Sequence, residues 1–145
     1  PKGVDNNRLS RILGIDFGGR RIGLALSDPL GIIAKPFMTI DLRINPNYID
    51  QILEVTDKND INKVVVGVPL TLKGNFSLQT KTVLTFIKEL SSAIKIPVIE
   101  LDERLSSVAA KRSLKEQGVK TGYEKGRVDE TAAAIILQEY LDSVS

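Results

Sequence analysis

The sequence contains no cysteine and no histidine among its 145 residues. The missing cysteines exclude disulfide bonds, thiolate metal sites and cysteine nucleophiles. The missing histidines exclude a serine–histidine relay and a histidine-bound zinc, so acid–base or metal chemistry would have to use carboxylates, lysine or tyrosine. No apolar run is long enough to cross a bilayer and no secretory leader is recognisable, which predicts a cytoplasmic protein with no membrane partner.

The composition is that of one globular domain, which we expect to span residues 1–145. Hydrophobic residues make up 42% of the chain and charged residues 26%, as is usual for such a domain. The net charge is only +2, but seven basic and two acidic residues lie between Arg104 and Arg127. This local excess favours a polyanionic partner, although a solvated helix face would give the same pattern.

Apolar periodicity predicts five β-strands and four helices. The strands are expected in RILGIDFG, RIGLALSD, GIIAKPFMTI, KVVVGVP and IPVIELDE, and the helices at Asn45–Lys58, Leu78–Ile94, Leu105–Gln117 and Asp129–Leu141. Gly18 and Gly19 predict a tight hairpin between the first two strands, and Pro36 predicts an edge position or a bulge in the third. Three strands with short connections, then two reached through helices, predict an α/β fold with a mixed five-stranded sheet flanked by helices.

An acidic residue, Asp16, interrupts the apolar first strand and is followed closely by two glycines. A carboxylate that is buried requires a cation, a hydrogen-bond partner or water. Asp16 could lie on a solvent-facing side of the strand or cap the glycine turn. Alternatively, it could face a site where the glycines let a phosphate or a metal ion approach the backbone.

Further acidic residues are expected at the same end of the sheet, because parallel strands share their ligand-binding end. Asp102 and Glu103 stand where the fifth strand ends, on opposite faces if the strand continues, and Asp129 begins the last predicted helix. Each acid could instead have a purely structural role: Asp102 or Glu103 could form an ion pair with Arg104, and Asp129 could be a helix N-cap. Together they supply the oxygen ligands that hard divalent cations require.

Four ordered motifs resemble one known family. The segments ILGIDFGGRRIGLALSD, VVVGVPLTLKG, LDERLSS and VDETAAAIILQEYL are similar to the YqgF family, described as Holliday-junction resolvases or pre-16S rRNA nucleases. The resemblance covers residues 12–141 and implies an RNase H-like fold with the first three strands antiparallel. The loop TLKGNFSLQT departs from the family pattern, because a second glycine near Phe76 or Ser77 is absent.

The resemblance implies catalytic roles for Asp16, Glu103 and Asp129, with Asp102 beside Glu103. Asp16, Glu103 and Asp129 would hold Mg²⁺ or Mn²⁺, which would activate water for hydrolysis of a phosphodiester bond. Phosphate contacts are expected from eight basic residues: Arg20, Arg21, Lys73, Arg104, Lys111, Arg112, Lys125 and Arg127. Residues 118–127 are expected to form a loop that could close over the strand being cut.

The expected partner is nucleic acid, either structured RNA or branched DNA. Processing of the 5′ end of pre-16S rRNA would need only a monomer, whereas resolving a symmetric four-way DNA junction would need a two-fold homodimer. The first motif also resembles the phosphate-binding hairpin of actin-like ATPases, although those enclose a nucleotide between two domains and this length provides one. A non-catalytic nucleic-acid-binding module would keep the basic segment but would have no need of acids that repel phosphate.

Overall fold

The computed structural model describes residues 10–70, 77–103 and 125–145, with side chains of the last segment described from Asp129 onward. These residues form five strands and three helices. They are β1 (Arg11–Phe17), β2 (Arg21–Ser27), β3 (Ala34–Asp41), α1 (Tyr48–Lys58), β4 (Ile61–Val68), α2 (Leu78–Ala93), β5 (Val98–Asp102) and α3 (Lys125–Val144). The helix predicted at Leu105–Gln117 lies outside the described residues.

The five strands form one mixed sheet in the order β3-β2-β1-β4-β5. β2 is antiparallel to both β1 and β3, while β4 is parallel to β1 and β5 is parallel to β4. The predicted mixed α/β sheet, with its first three strands antiparallel, is therefore confirmed. Because β1, β4 and β5 run in the same direction, their carboxyl ends meet at one edge of the sheet.

The β1–β2 connection is the tight hairpin that the glycines predict. Gly19 has a φ of 85°, in the left-handed region that glycine adopts without steric cost. The N–H of Gly18 donates to the carbonyl of Arg21 at 2.9 Å and closes the turn. The hairpin therefore brings Arg20 and Arg21 next to the carboxyl end of β1.

β3 forms the sheet edge, and Pro36 lies where its register with β2 shifts, leaving Phe37 as an extra, bulged residue. The prediction for Pro36 is therefore confirmed. The side chain of Gln138 from α3 covers the start of this edge. Its Oε1 accepts from the N–H of Ala34 and its Nε2 donates to the carbonyl of Ile32, both at 2.9 Å. The amide thus uses the hydrogen-bonding positions that another strand would otherwise occupy.

Each face of the sheet has its own apolar core. The face toward α1 and α2 buries side chains that include Leu13, Ile15, Leu24, Val64, Val66, Phe86 and Leu90. The opposite face packs Ala25 and Val65 against Ala133, Ile136 and Leu137 of α3. Since side chains alternate along a strand, Gly14 and Asp16 of β1 lie on the α3 side. None of the described helices is long and apolar enough to cross a membrane.

Helix α3 lies directly on three glycines, one from each of β1, β2 and β4. A Cβ at Gly14 or Gly67 would lie 2.7 or 2.6 Å from a side-chain carbon of α3. A Cβ at Gly23 would lie 2.8 Å from the backbone nitrogen of Glu130. The atoms that a Cβ would meet at Gly23 are all backbone, so this glycine limits how closely α3 approaches the sheet, whereas at Gly67 they are the ends of side chains.

Helix α3 begins at Lys125, four residues before the start predicted at Asp129. The expectation that Asp129 stands at the helix N-terminus is therefore wrong, as is a loop extending to residue 127. The physical reason is tertiary packing, which overrides the local preference of aspartate for a cap, because the backbone at Asp129 packs against Gly23. Residues 118–124 of the predicted loop lie outside the described residues.

Candidate active site

Asp16 is a buried carboxylate between two glycines of neighbouring strands. It pairs with Gly23 of β2, and the pairing of Ile15 with Val66 places Gly67 of β4 at its other side. Asp16 is 5% exposed, so the interpretation of this acid as a solvent-facing residue is wrong. Because neither glycine has a side chain, the backbone of α3 and the carboxylate of Glu103 can approach the strands on either side of Asp16.

Glu103 follows β5 immediately and turns toward the same face. It is 5% exposed, and its Oε2 lies 2.9 Å from the position that a Cβ would take at Gly67. Leu101 packs in the α3-side core, so the alternation of the strand places Asp102 on the opposite face. The geometry therefore brings Glu103, and not Asp102, to the face on which Asp16 lies.

Asp129 reaches this face from helix α3. Its Oδ2 accepts a hydrogen bond from Nε of Arg21 at 2.6 Å, and the two side chains are 17% and 27% exposed. Hydrogen bonds between two charged groups are shorter and about twice as strong as those between neutral groups. The backbone of Asp129 packs on Gly23, which pairs with Asp16. The fold thus brings Asp129 close to β1 while Arg21 holds its carboxylate.

The three acids lie on one face of the sheet, near the carboxyl ends of β1, β4 and β5, but they do not form a closed cluster. Within residues 10–70, 77–103 and 129–145, no three acidic side chains lie close enough together to hold a metal ion. Asp16 and Glu103 lie on either side of Gly67, and Asp129 is paired with Arg21. The arrangement therefore offers two buried carboxylates near each other and a third that is occupied by an arginine.

Two of the basic residues expected to contact phosphate lie in the described hairpin. Arg20 is exposed in the turn, and Arg21 is half-buried against Asp129. The others cannot be placed by their side chains: Lys73, Arg104, Lys111 and Arg112 lie outside the described residues, and Lys125 and Arg127 are described only as helical backbone. Phosphate contacts by these residues stay predictions.

Sequence reasoning missed two features of this site. Gly23 and Gly67 make room for Asp129 and Glu103, and a glycine inside a buried strand is a recognisable signal of close approach by another group. The partnership of Arg21 with Asp129 has no such local signal, because 108 residues separate the two in the sequence.

Comparison with known proteins gives matches over most of the chain. The family model described as "RuvX: Holliday junction resolvase" matches residues 10–143. A protein of Chloroflexus aurantiacus is 44% identical over 132 residues, covering 91% of this chain and 86% of the relative. A protein of Roseiflexus sp. is 41% identical over 133 residues, covering 92% and 94%. Both relatives carry the name "Putative pre-16S rRNA nuclease".

Two solved structures share the fold at low sequence identity. T. thermophilus RuvC in complex with a Holliday junction substrate has a TM-score of 0.57 and 16% identity, covering 93% of this chain and 95% of that chain. Fowlpox virus resolvase in complex with Holliday junction DNA has a TM-score of 0.54 and 14% identity, covering 92% and 98%. At this identity the likeness establishes the RNase H-like fold alone.

Proposed function

This chain belongs to the RuvX family of Holliday junction resolvases, and from that membership we propose that it is a nuclease that hydrolyses phosphodiester bonds in nucleic acid. The observation that carries the proposal is the placement of Asp16, Glu103 and Asp129 on one face at the shared end of β1, β4 and β5. The names of the relatives favour the 5′ end of pre-16S rRNA as the substrate. Either this RNA or a four-way DNA junction would be met in the cytoplasm.

The donor set fits a divalent cation such as Mg²⁺ or Mn²⁺. Asp16 and Glu103 provide carboxylate oxygens, the ligands that such hard cations prefer. The missing Cβ at Gly67 lets Oε2 of Glu103 approach the strand that neighbours Asp16. We therefore propose Asp16, Glu103 and Asp129 as the metal ligands. A bound ion would activate the attacking water and stabilise the leaving oxygen.

Side chains of the hairpin and the sheet would bind the substrate and limit the access of water. Arg20, exposed in the turn after β1, would bind a backbone phosphate and so position the strand near Asp16. The burial of Asp16 and Glu103 limits access of bulk water, which strengthens their electrostatic attraction for a cation. Contacts of this kind recognise the sugar–phosphate backbone and carry no base sequence information.

A cleavage assay with two substrates tests the proposed activity. A labelled pre-16S rRNA fragment and a four-way DNA junction are offered to the purified protein with Mg²⁺, with Mn²⁺ and with EDTA. Cleavage of either substrate that stops in EDTA supports the proposal, and cleavage that persists in EDTA contradicts the metal ligands. Binding without any cleavage would favour a non-catalytic module, and micromolar ATP binding without cleavage would favour the ATPase-like alternative.

The oligomeric state helps to separate the two substrates. Sedimentation in the same buffer reports whether the protein is a monomer or a homodimer. Symmetric cleavage of a junction requires two active sites related by a two-fold axis, whereas trimming one RNA strand requires one site. A dimer that cuts the junction faster than the RNA would therefore identify the resolvase alternative, and a monomer that cuts only RNA would identify the processing nuclease.

Substitutions of single acidic residues test which carboxylates are the metal ligands. Asp16→Asn and Glu103→Gln each remove one charge with little change in size, and we expect each to lower turnover by about 100-fold or more. Asp102→Asn is the matched control, because it removes the same charge one residue away on the opposite face. We expect it to retain turnover within a few-fold. A large loss in Asp102→Asn with near-normal Glu103→Gln would transfer the role to Asp102.

A further inference from the structure

The Arg21–Asp129 ion pair lies inside the site proposed above. The Nε of Arg21 donates to Oδ2 of Asp129 at 2.6 Å, and both side chains are more than two-thirds buried. Arginine stays protonated at every pH that a protein tolerates. The negative charge of Asp129 is therefore already compensated by a permanent cation within the protein.

A divalent ion at this site would require the same carboxylate. A guanidinium bound to one ligand repels an incoming cation, and the repulsion is stronger in a partly buried site than in water. In the described part of the chain, the three acids are correspondingly not gathered closely enough to hold a metal ion. Release of Asp129 by Arg21 would remove this repulsion and make Oδ2 of Asp129 available to a metal ion.

A phosphate group is the natural alternative partner for Arg21. The planar guanidinium binds phosphate oxygens through paired hydrogen bonds, in the same way as it binds a carboxylate. Arg21 begins β2, directly after the exposed Arg20 of the turn. A nucleic-acid strand bound at Arg20 would therefore bring its phosphates close to the Arg21–Asp129 pair.

We propose that Arg21 is a positioning residue that couples phosphate binding to metal loading by exchanging partners. Without nucleic acid, Arg21 holds Asp129 away from the metal ligands Asp16 and Glu103. A bound phosphate draws the guanidinium away, and Asp129 then completes the ligand set. By linkage, phosphate and metal raise each other's affinity. This inference rests on the proposed metal-dependent function.

The test measures metal binding and needs no catalysis. Mn²⁺ is titrated by calorimetry into the wild type, Arg21→Gln and Arg21→Lys. Arg11→Gln serves as a charge-matched control at the opposite end of β1. Since coupling between two sites is typically fivefold or more, we expect Arg21→Gln to bind Mn²⁺ at least about fivefold more tightly than the wild type. Arg21→Lys keeps the charge and Arg11→Gln keeps the pair, so both should stay near the wild-type affinity.

A second titration uses dimethyl phosphate, a minimal phosphodiester, as the phosphate probe. An excess should tighten Mn²⁺ binding to the wild type and leave Arg21→Gln unchanged. Equal or weaker Mn²⁺ binding by folded Arg21→Gln would overturn the exchange while leaving the metal site intact. Absence of Mn²⁺ binding in every protein would overturn the metal site and the exchange together. If Arg21→Gln does not fold, a wild-type affinity that is insensitive to dimethyl phosphate would overturn the exchange.

Discussion

Replacing Gly23 by alanine should displace helix α3 and the site that it helps to form. The added Cβ would lie 2.8 Å from the backbone nitrogen of Glu130 and closer still to the carbonyl of Asp129, where ordinary contact begins at 3.4 Å. The obstructing atoms are backbone, so no side chain can rotate away. The start of α3 would have to withdraw by at least about 0.6 Å, and by more at the Asp129 carbonyl.

The displacement should affect both stability and catalysis. Overpacking of this kind costs about 1–3 kcal/mol, while the lower backbone entropy of alanine in the unfolded chain offsets about 0.4–1 kcal/mol of that loss. The free energy of unfolding should therefore fall by about 1–2 kcal/mol, measured by urea denaturation. A shift of roughly 1 Å in a catalytic group can lower the rate about 100-fold, so turnover should fall far more than stability implies.

Gly31→Ala is the matched control for this substitution. Gly31 has a φ of 72° and no heavy atom within 4 Å of the position for a Cβ, so alanine there introduces backbone strain without a steric clash. It should lose about 1–2 kcal/mol of stability and keep normal turnover in the folded protein. Wild-type stability and wild-type turnover in Gly23→Ala would refute the argument that this glycine sets the position of α3.

Three further predictions concern pH, the sheet edge and salt. Hydrogen bonds from the N–H of Ile33 and other loop amides lower the pKa of Asp28 below its ordinary value of 3.8. The resulting stability is present above that value and is lost as the pH falls through the lower folded pKa. A carboxyl NMR titration should show the low midpoint, and Asp28→Asn should remove the corresponding pH dependence of unfolding. Gln138→Leu removes three hydrogen bonds, of which those to Ala34 and Ile32 cover the sheet edge, and should lower the free energy of unfolding by about 1–2 kcal/mol and increase light scattering from self-association. No change in either quantity would contradict the edge-covering role. Nucleic-acid affinity should fall steeply with salt, and Arg20→Gln should reduce the slope of log K against log salt by about 0.7–0.9, whereas an unchanged slope would remove Arg20 from the phosphate contacts.

Much of the sheet follows from local patterns. The glycines at 18 and 19 specify the hairpin, and Pro36 marks the edge strand, because in each case the backbone chemistry of one or two residues is decisive. Alternation also places Asp102 and Glu103 on opposite faces. The sequence could not show which of these faces carries Asp16, since that depends on the packing of α3.

The features that could not be predicted from the sequence depend on contacts between segments that are distant along the chain. The start of α3 differs from its prediction because Asp129 packs on Gly23, more than a hundred residues earlier in the chain. The pairing of Asp129 with Arg21 is equally remote, so a residue predicted to contact phosphate proves to bind an acid of the candidate site. Propensity and capping rules describe neighbouring residues and contain no information on such pairs.

The 108 residues that separate Arg21 from Asp129 also order events during protein synthesis. At translation rates of about 5–20 residues per second, the β1–β2 hairpin leaves the ribosome roughly 5–20 s before Asp129 does. During that interval the nascent chain has the strand that carries Asp16 but lacks the helix that provides the third carboxylate. The candidate site can therefore be completed only after α3 has been synthesised and has packed on the sheet.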